Sequence, residues 1–155
     1  MNAPVTIRIQ QDDFDTAREI AALSQGRTDI GAVVTFSGIC RGPEGGDDIA
    51  SLTLEHYPEM AEAEIKRHAD QAIARWPLQG LTIIHRHGRI APGENIVLVV
   101  TASSHRQAAF EAAEFLMDYL KTNAPFWKQE ESARGTSWIE ARSHDDDAAA
   151  RWTKS

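Results

Sequence analysis

Cysteine is almost absent from this chain. Cys40 stands alone among 155 residues, which excludes an internal disulfide and a multi-cysteine metal site. Long apolar runs are missing too. No stretch approaches the roughly 20 residues that a membrane-spanning helix needs, and the opening Met-Asn-Ala-Pro-Val-Thr lacks the charged and apolar regions of a signal peptide. A cytoplasmic protein is the expectation. Positive charge is scarce: 16 Lys and Arg face 23 Asp and Glu, for a net charge of −7, so the chain as a whole repels phosphate backbones and anionic lipid. Nucleic acid and membrane are therefore poor partners. Walker loops, Gly-x-Gly-x-x-Gly fingerprints, Gly-x-Ser-x-Gly elbows and His-Glu-x-x-His motifs are absent as well.

What is present suffices for one core. With 42% hydrophobic residues, residues 1–155 read as a single domain. Val5, Ile7 and Ile9 alternate as in a half-buried strand, and Asp12-Asp13 offers an N-cap for a helix carrying Phe14, Ala17, Ile20 and Ala21. Ala32 to Ser37 and Ile49 to Tyr57 read as strands on either side of a glycine-rich loop, Gly42 to Asp48, expected to be mobile. Pro58 suits the first turn of a helix with Ile65, Ala69, Ala72 and Trp76 on one face, closed by Pro77. Leu81 to His87 and Ile96 to Ala102 follow as strands, joined through the turn Ala91-Pro-Gly-Glu94. Ser104-His-Arg-Gln107 fits a capping box for a helix from His105 to Lys121 with a stripe of Ala109, Ala113, Leu116 and Leu120. Two short strands, Trp127 to Glu130 and Ser137 to Glu140, and a terminal helix, Asp145 to Trp152, complete the reading. Strand pairs interrupted by helices predict an α+β domain with a mixed, largely antiparallel sheet and flanking helices.

The scarce cations stand where elements end. Lys121 and Lys128 bracket Lys121-Thr-Asn-Ala-Pro-Phe-Trp-Lys128, in which Pro125 stops the helix and biases Ala124 toward extended backbone. Two amines held at such a corner can face one pocket suited to an anion, although solvated surface lysines are the commoner case. Arg41 follows a strand, and His105-Arg106 opens a helix whose N-terminal dipole disfavours a cation unless an anion binds there. Arg106 and Lys121 stand fifteen residues apart on one helix, roughly 22 Å, so a small anion gripped by both requires two chains. His85 and His87 share one face of a strand and His56 lies elsewhere, but no further ligand set with metal spacing accompanies them. Cys40 beside Arg41 fits either an activated thiolate or a small buried hydrophobe, and the missing acid/base partner favours the second.

These residues fall into longer blocks. Gly31-Ala-Val-Val-Thr-Phe-Ser-Gly38 with Arg41, Leu52-Thr-Leu-Glu-His-Tyr-Pro58, Ile84-His-Arg86, Ser104-His-Arg106 and Met117-Asp-Tyr-Leu-Lys-Thr-Asn-Ala-Pro-Phe-Trp-Lys128 resemble the large, catalytic subunit of molybdopterin synthase, over about residue 30 to Trp152. The resemblance implies an α/β-hammerhead fold and a homodimer. Each end of that dimer binds a small ubiquitin-like sulfur-carrier subunit whose C-terminal Gly-Gly thiocarboxylate enters the active site, giving a heterotetramer. The implied reaction is sulfur transfer into cyclic pyranopterin monophosphate to form the molybdopterin dithiolene, with no resident cofactor or metal. By position, the resemblance implies substrate binding by Ile39, Cys40, Arg41, His105, Arg106, Lys121, Lys128, Gln129 and Glu130, catalysis by Lys121 and Lys128, and a pocket lined by Phe36, Met117 and Arg142. Ile39 stands where the family often has lysine, Cys40 where it has an apolar residue, and His87 also replaces an apolar residue. The rival is a noncatalytic dimer that binds a phosphorylated metabolite or scaffolds the carrier; the presence of both lysines disfavours it.

Overall fold

A computed structural model describes residues 3–42, 49–56, 58–122, 126–132, 135–139 and 152. The alternating N-terminus forms strand β1 (Val5–Gln10), with Ile7 and Ile9 packed on the main core. Helix α1 (Thr16–Ser24) starts later than the Asp12-Asp13 pair suggests. Asp15 is its N-cap, with Oδ1 accepting from the Arg18 amide at 3.2 Å, while Asp13 accepts from the Phe14 amide and from Asn95 Nδ2. The cap belongs to the side chain that reaches an amide three residues on. The shift leaves Ala17 and Ala21 exposed, and Phe14, Ile20 and Leu23 form the covering face instead.

The remaining elements are β2 (Ala32–Ile39), β3 (Ile49–His56), α2 (Pro58–Arg75), β4 (Leu78–Arg86), β5 (Gly88–Ile90), β6 (Asn95–Ser103), α3 (Arg106–Thr122), β7 (Phe126–Ser132) and β8 (Gly135–Ile139). They build two four-stranded sheets where the sequence pattern suggested one. The first, in the order β1-β4-β6-β2, is antiparallel except for the parallel β1–β4 pair; the second, β5-β3-β7-β8, is antiparallel throughout. The fold is thus α+β with mixed, mostly antiparallel pairing. Strand β5 escapes the sequence pattern because it is three residues long and follows β4 after one residue. Gly88, at φ +83°, supplies the left-handed step that lets the chain leave the first sheet for the second.

β4 and β6 are buried almost throughout, as strands covered on both faces must be. Parity separates the two faces. Leu81, Ile83, Val97 and Val99 share the main core with Ile65, Ala69 and Ala72 of α2 and with Ala112, Phe115, Leu116 and Leu120 of α3. Ile84, Leu98, Val100 and Ala102 point the other way, toward α1. Each large apolar side chain buried here contributes roughly 1.5–3 kcal/mol, so α3 is held mainly by its apolar stripe. The expected capping box does not organise its start: Ser104 Oγ donates to Asp29 O and Gln107 reaches forward to Glu111, while Ser103 Oγ accepts from the His105 amide at 3.1 Å. Trp152 packs its ring on Trp76 and Phe115 and donates from Nε1 to Asp118. The loop over 43–48, the turn containing Pro125 and the rest of the expected terminal helix lie outside the described residues. No helix among the described residues is long and apolar enough to cross a membrane.

Candidate functional site

The candidate cations fall into two groups at opposite ends of the first sheet. β2 runs antiparallel to β6, with Ala32 opposite Ser103 and Ile39 opposite Asn95. Arg41 therefore lies beyond the Asn95 end, whereas His105 and Arg106 lie beyond the Ser103 end, roughly 23 Å away at the rise of a strand. α3 then returns along the sheet. Thr101 Oγ1 donates to Ala109 O at 2.7 Å near the helix start, and Leu116, Met117 and Leu120 pack in the cluster that holds Val97 and Val99. Lys121, in the last turn of α3, is thereby carried to the Arg41 end, where its ammonium also complements the helix dipole.

The second sheet brings β7 to the same end. Cys40 is buried against Leu54 and Ile90, and Lys128 stands directly opposite Leu54 in the β3–β7 register. Gln129 and Glu130 stand opposite Thr53 and Leu52. Ile96 packs against both the Cys40 cluster and the core cluster of Met117 and Leu120, tying the end of α3 to this corner. Arg41, Lys121 and the β7 position of Lys128 thus converge, while His105 and Arg106 do not join them within one chain.

Arg41, His105, Arg106 and Lys121 are all exposed. Ile39 is 52% exposed just past an irregularity in the β2–β6 register, and Phe36, opposite Val99, is 38% exposed. Met117 is buried in the main core. Arg142 lies outside the described residues. Cys40 is 4% exposed, its Sγ 3.8 Å from the carbonyl oxygens of Arg41 and Ile90. This is the environment of a small buried hydrophobe. Its backbone is committed as well, the amide donating to Glu94 O at 2.9 Å and the carbonyl accepting from the Gly93 amide at 2.7 Å.

His85 behaves as packing, buried with Nδ1 2.8 Å from Arg86 O, while His87 stands half-buried just past the end of β4, and no group of three His, Cys, Asp or Glu suited to a metal occurs among the described residues. The roles of two buried polar residues escaped the sequence reading, although Arg86 itself stands in the block Ile84-His-Arg86. Arg86 is 4% exposed and spends its guanidinium on backbone carbonyls, Nε and Nη2 on Gln11 O at 3.0 and 2.9 Å and Nη1 on Asn95 O at 2.8 Å. An arginine closing the apolar run Leu81 to Ile84 is the available signal, because a guanidinium buried there must find acceptors. His68, inside the apolar face of α2, is buried between Glu64, Gln71 and Tyr119.

Comparison with known proteins gives a consistent result. The family model described as MoaE protein matches residues 9–123. Over 152 residues the chain is 65% identical to the molybdopterin synthase catalytic subunit of Mesorhizobium japonicum, covering 97% of this chain and 94% of that protein. Its fold is similar to the solved molybdopterin biosynthesis MoaE protein from Burkholderia ambifaria, with a TM-score of 0.82 at 47% identity, covering 97% of this chain and 99% of the other. It is also similar to molybdopterin synthase from Staphylococcus aureus, with a TM-score of 0.78 at 28% identity, covering 86% and 96%.

Proposed function

The chain belongs to the MoaE family, whose members include molybdopterin synthase catalytic subunits, and from that membership we propose that it transfers two sulfurs into cyclic pyranopterin monophosphate to give the molybdopterin dithiolene. The sulfur donor is the thiocarboxylated Gly-Gly end of a small ubiquitin-like carrier subunit, and the work is done in the cytoplasm by a homodimer with one carrier at each end. The observation that carries the reading is the convergence of Arg41, Lys121 and the register position of Lys128 at one end of a chain whose net charge is −7. Cations concentrated against the overall charge suit a phosphorylated substrate and a thiocarboxylate tail.

Each residue has a distinct task in this reading. Arg41, at the end of β2, grips substrate oxygens with a forked guanidinium. His105 and Arg106 supply the far side of the pocket from a second copy, because within one chain they lie at the other end of α3. Lys121 manages protons or attacks as the amine while carbon–oxygen bonds give way to carbon–sulfur bonds, and Lys128 positions the thiocarboxylate or the intermediate. Ile39, Cys40, Gln129 and Glu130 frame the pocket, with Phe36, Met117 and Arg142 around it. Cys40 does not carry the sulfur, consistent with its burial.

The test is direct. The chain is incubated with cyclic pyranopterin monophosphate and thiocarboxylated carrier, and the product is analysed by mass spectrometry. A dithiolene carrying two new sulfurs is expected. Tight binding of both components with no sulfur incorporated would establish the noncatalytic alternative instead.

A further inference from the structure

Arg41 follows directly on Cys40, and what fixes the Cys40 backbone lies outside its own strand. The Cys40 amide donates to Glu94 O and its carbonyl accepts from the Gly93 amide, so the end of β2 is clasped in both directions by the Ala91–Glu94 turn. That turn closes with the Glu94 amide donating to Ala91 O at 3.0 Å, and the Glu94 carboxylate accepts from the Ala91 amide at 2.8 Å. Gly93, at φ +90°, occupies the position of a tight turn that requires the left-handed region. A turn exposed to this degree needs an external anchor to hold a fixed position. Arg86 supplies one. Its buried guanidinium joins Asn95 O, immediately after the turn, to Gln11 O at the end of the β1 segment, with Glu94 Oε2 3.5 Å from Nη1.

We propose that Arg86 is a positioning residue for Arg41, acting through the Ala91–Glu94 turn to hold the Cys40–Arg41 backbone against the pocket. The claim rests on the reading of Arg41 as a substrate-binding residue. It assigns Arg86 no contact with substrate. A guanidinium is needed because one planar fork satisfies carbonyls from two separate segments at once, which a single ammonium on a flexible stem does poorly.

The experiment measures steady-state sulfur transfer by the full-length chain with thiocarboxylated carrier, varying cyclic pyranopterin monophosphate, for Arg86→Lys, Gly93→Ala, Arg41→Ala and the Arg41→Ala/Arg86→Lys pair. Gly93→Ala acts by backbone strain alone, because an added Cβ there meets nothing within 4 Å. It perturbs the clasp without opening the core. Arg86→Lys and Gly93→Ala are each expected to raise the precursor KM about tenfold, the scale of weakening one charge-assisted hydrogen bond to the substrate, with kcat changed less than about twofold, as expected for lost uniform binding. In the Arg41→Ala background, Arg86→Lys should add nothing further, because its effect passes through Arg41. Multiplying KM effects in the double variant would show a general structural role and overturn the proposal. Unchanged KM in both Gly93→Ala and a folded Arg86→Lys, beside an impaired Arg41→Ala, would overturn the positioning role alone. Wild-type KM in Arg41→Ala would remove the pocket reading and the positioning role together. Should Arg86→Lys fail to fold by thermal melt, Arg86→Gln, which keeps amide donors but loses the fork, takes its place alone and paired with Arg41→Ala and is read by the same criteria, with Gly93→Ala reporting on the turn.

Discussion

At the scale of single residues, burial separates Arg86, committed to backbone carbonyls, from the exposed Lys121. Lys121 stands exposed in the last turn of α3, where its charge suits the dipole by roughly 0.3–1 kcal/mol, so its removal should change stability little. Lys121→Ala is expected to lower turnover at least about 100-fold, the usual scale for a lost proton-transfer group, with the melting temperature unchanged within a few degrees and carrier binding intact. Lys128→Ala should lose turnover to a similar degree. Product formation by mass spectrometry beside a thermal melt checks both; a near-normal rate at either position removes that lysine from the chemistry. The candidate cations stand out in the sequence because Pro125 and the start of the expected α3 mark where elements should end. Arg86 was not legible in the same way. Its acceptor Gln11 O lies 75 residues away along the chain, and no local pattern announces such a contact.

At the scale of elements, long periodic segments were readable and short or tertiary ones were not. α2 and α3 follow from apolar spacing that repeats over 17 or 18 residues, whereas β5 has three residues and the α1 cap depends on which aspartate reaches an amide. His68 shows a cost hidden inside a regular helix. It is stacked on Tyr119 of α3 at a 4.1 Å ring separation, its Nε2 has no hydrogen-bond partner among the described residues, and the Glu64 carboxylate is 3.7 Å away. Burial lowers its pKa below the ordinary 6.5; the Gln71 contact opposes this, Arg67 adds to it and Glu64 opposes it. The unfolded chain therefore takes up a proton near pH 6.5 that the folded chain resists. Stability contributed by neutral His68 is present above that pH, falls as the pH drops below it, and levels off below the folded value. His68→Phe keeps a ring against Tyr119 and removes the titration. Urea midpoints at pH 7.5 and 5.5 should fall more for the wild type than for the variant. Asp13, Asp29, Glu64 and Glu111, all lowered from ordinary values of 3.8 or 4.5, act mainly at more acid pH. Parallel changes in the two proteins would mean that His68 does not couple α2–α3 packing to pH.

At the scale of the whole molecule, the α+β class was legible from the alternation of element types, but the division into two sheets was not. Which strands pair is decided by residues far apart in sequence, as when β3 takes β5 on one edge and β7 on the other. On the proposed reading, the same long-range geometry leaves one chain with an incomplete set of site residues. α3 runs unbroken from Arg106 to Thr122, so the backbones of Arg106 and Lys121 stay roughly 22 Å apart, too far for the two side chains to close on one small anion. A two-fold pairing that brings the Arg106 end of one copy to the Lys121 end of the other completes two equivalent pockets at once. Mixing Arg106→Ala chains with Lys121→Ala chains then yields hybrid dimers in which one pocket carries both lesions and the other carries neither. With random exchange about half of the dimers are hybrids, each with one intact pocket, so roughly a quarter of wild-type activity should return if pockets act independently. Each variant alone stays inactive. Native mass spectrometry establishes that exchange has occurred, and activity that does not return in the exchanged mixture would mean either that Arg106 serves no pocket or that it serves the pocket of its own chain.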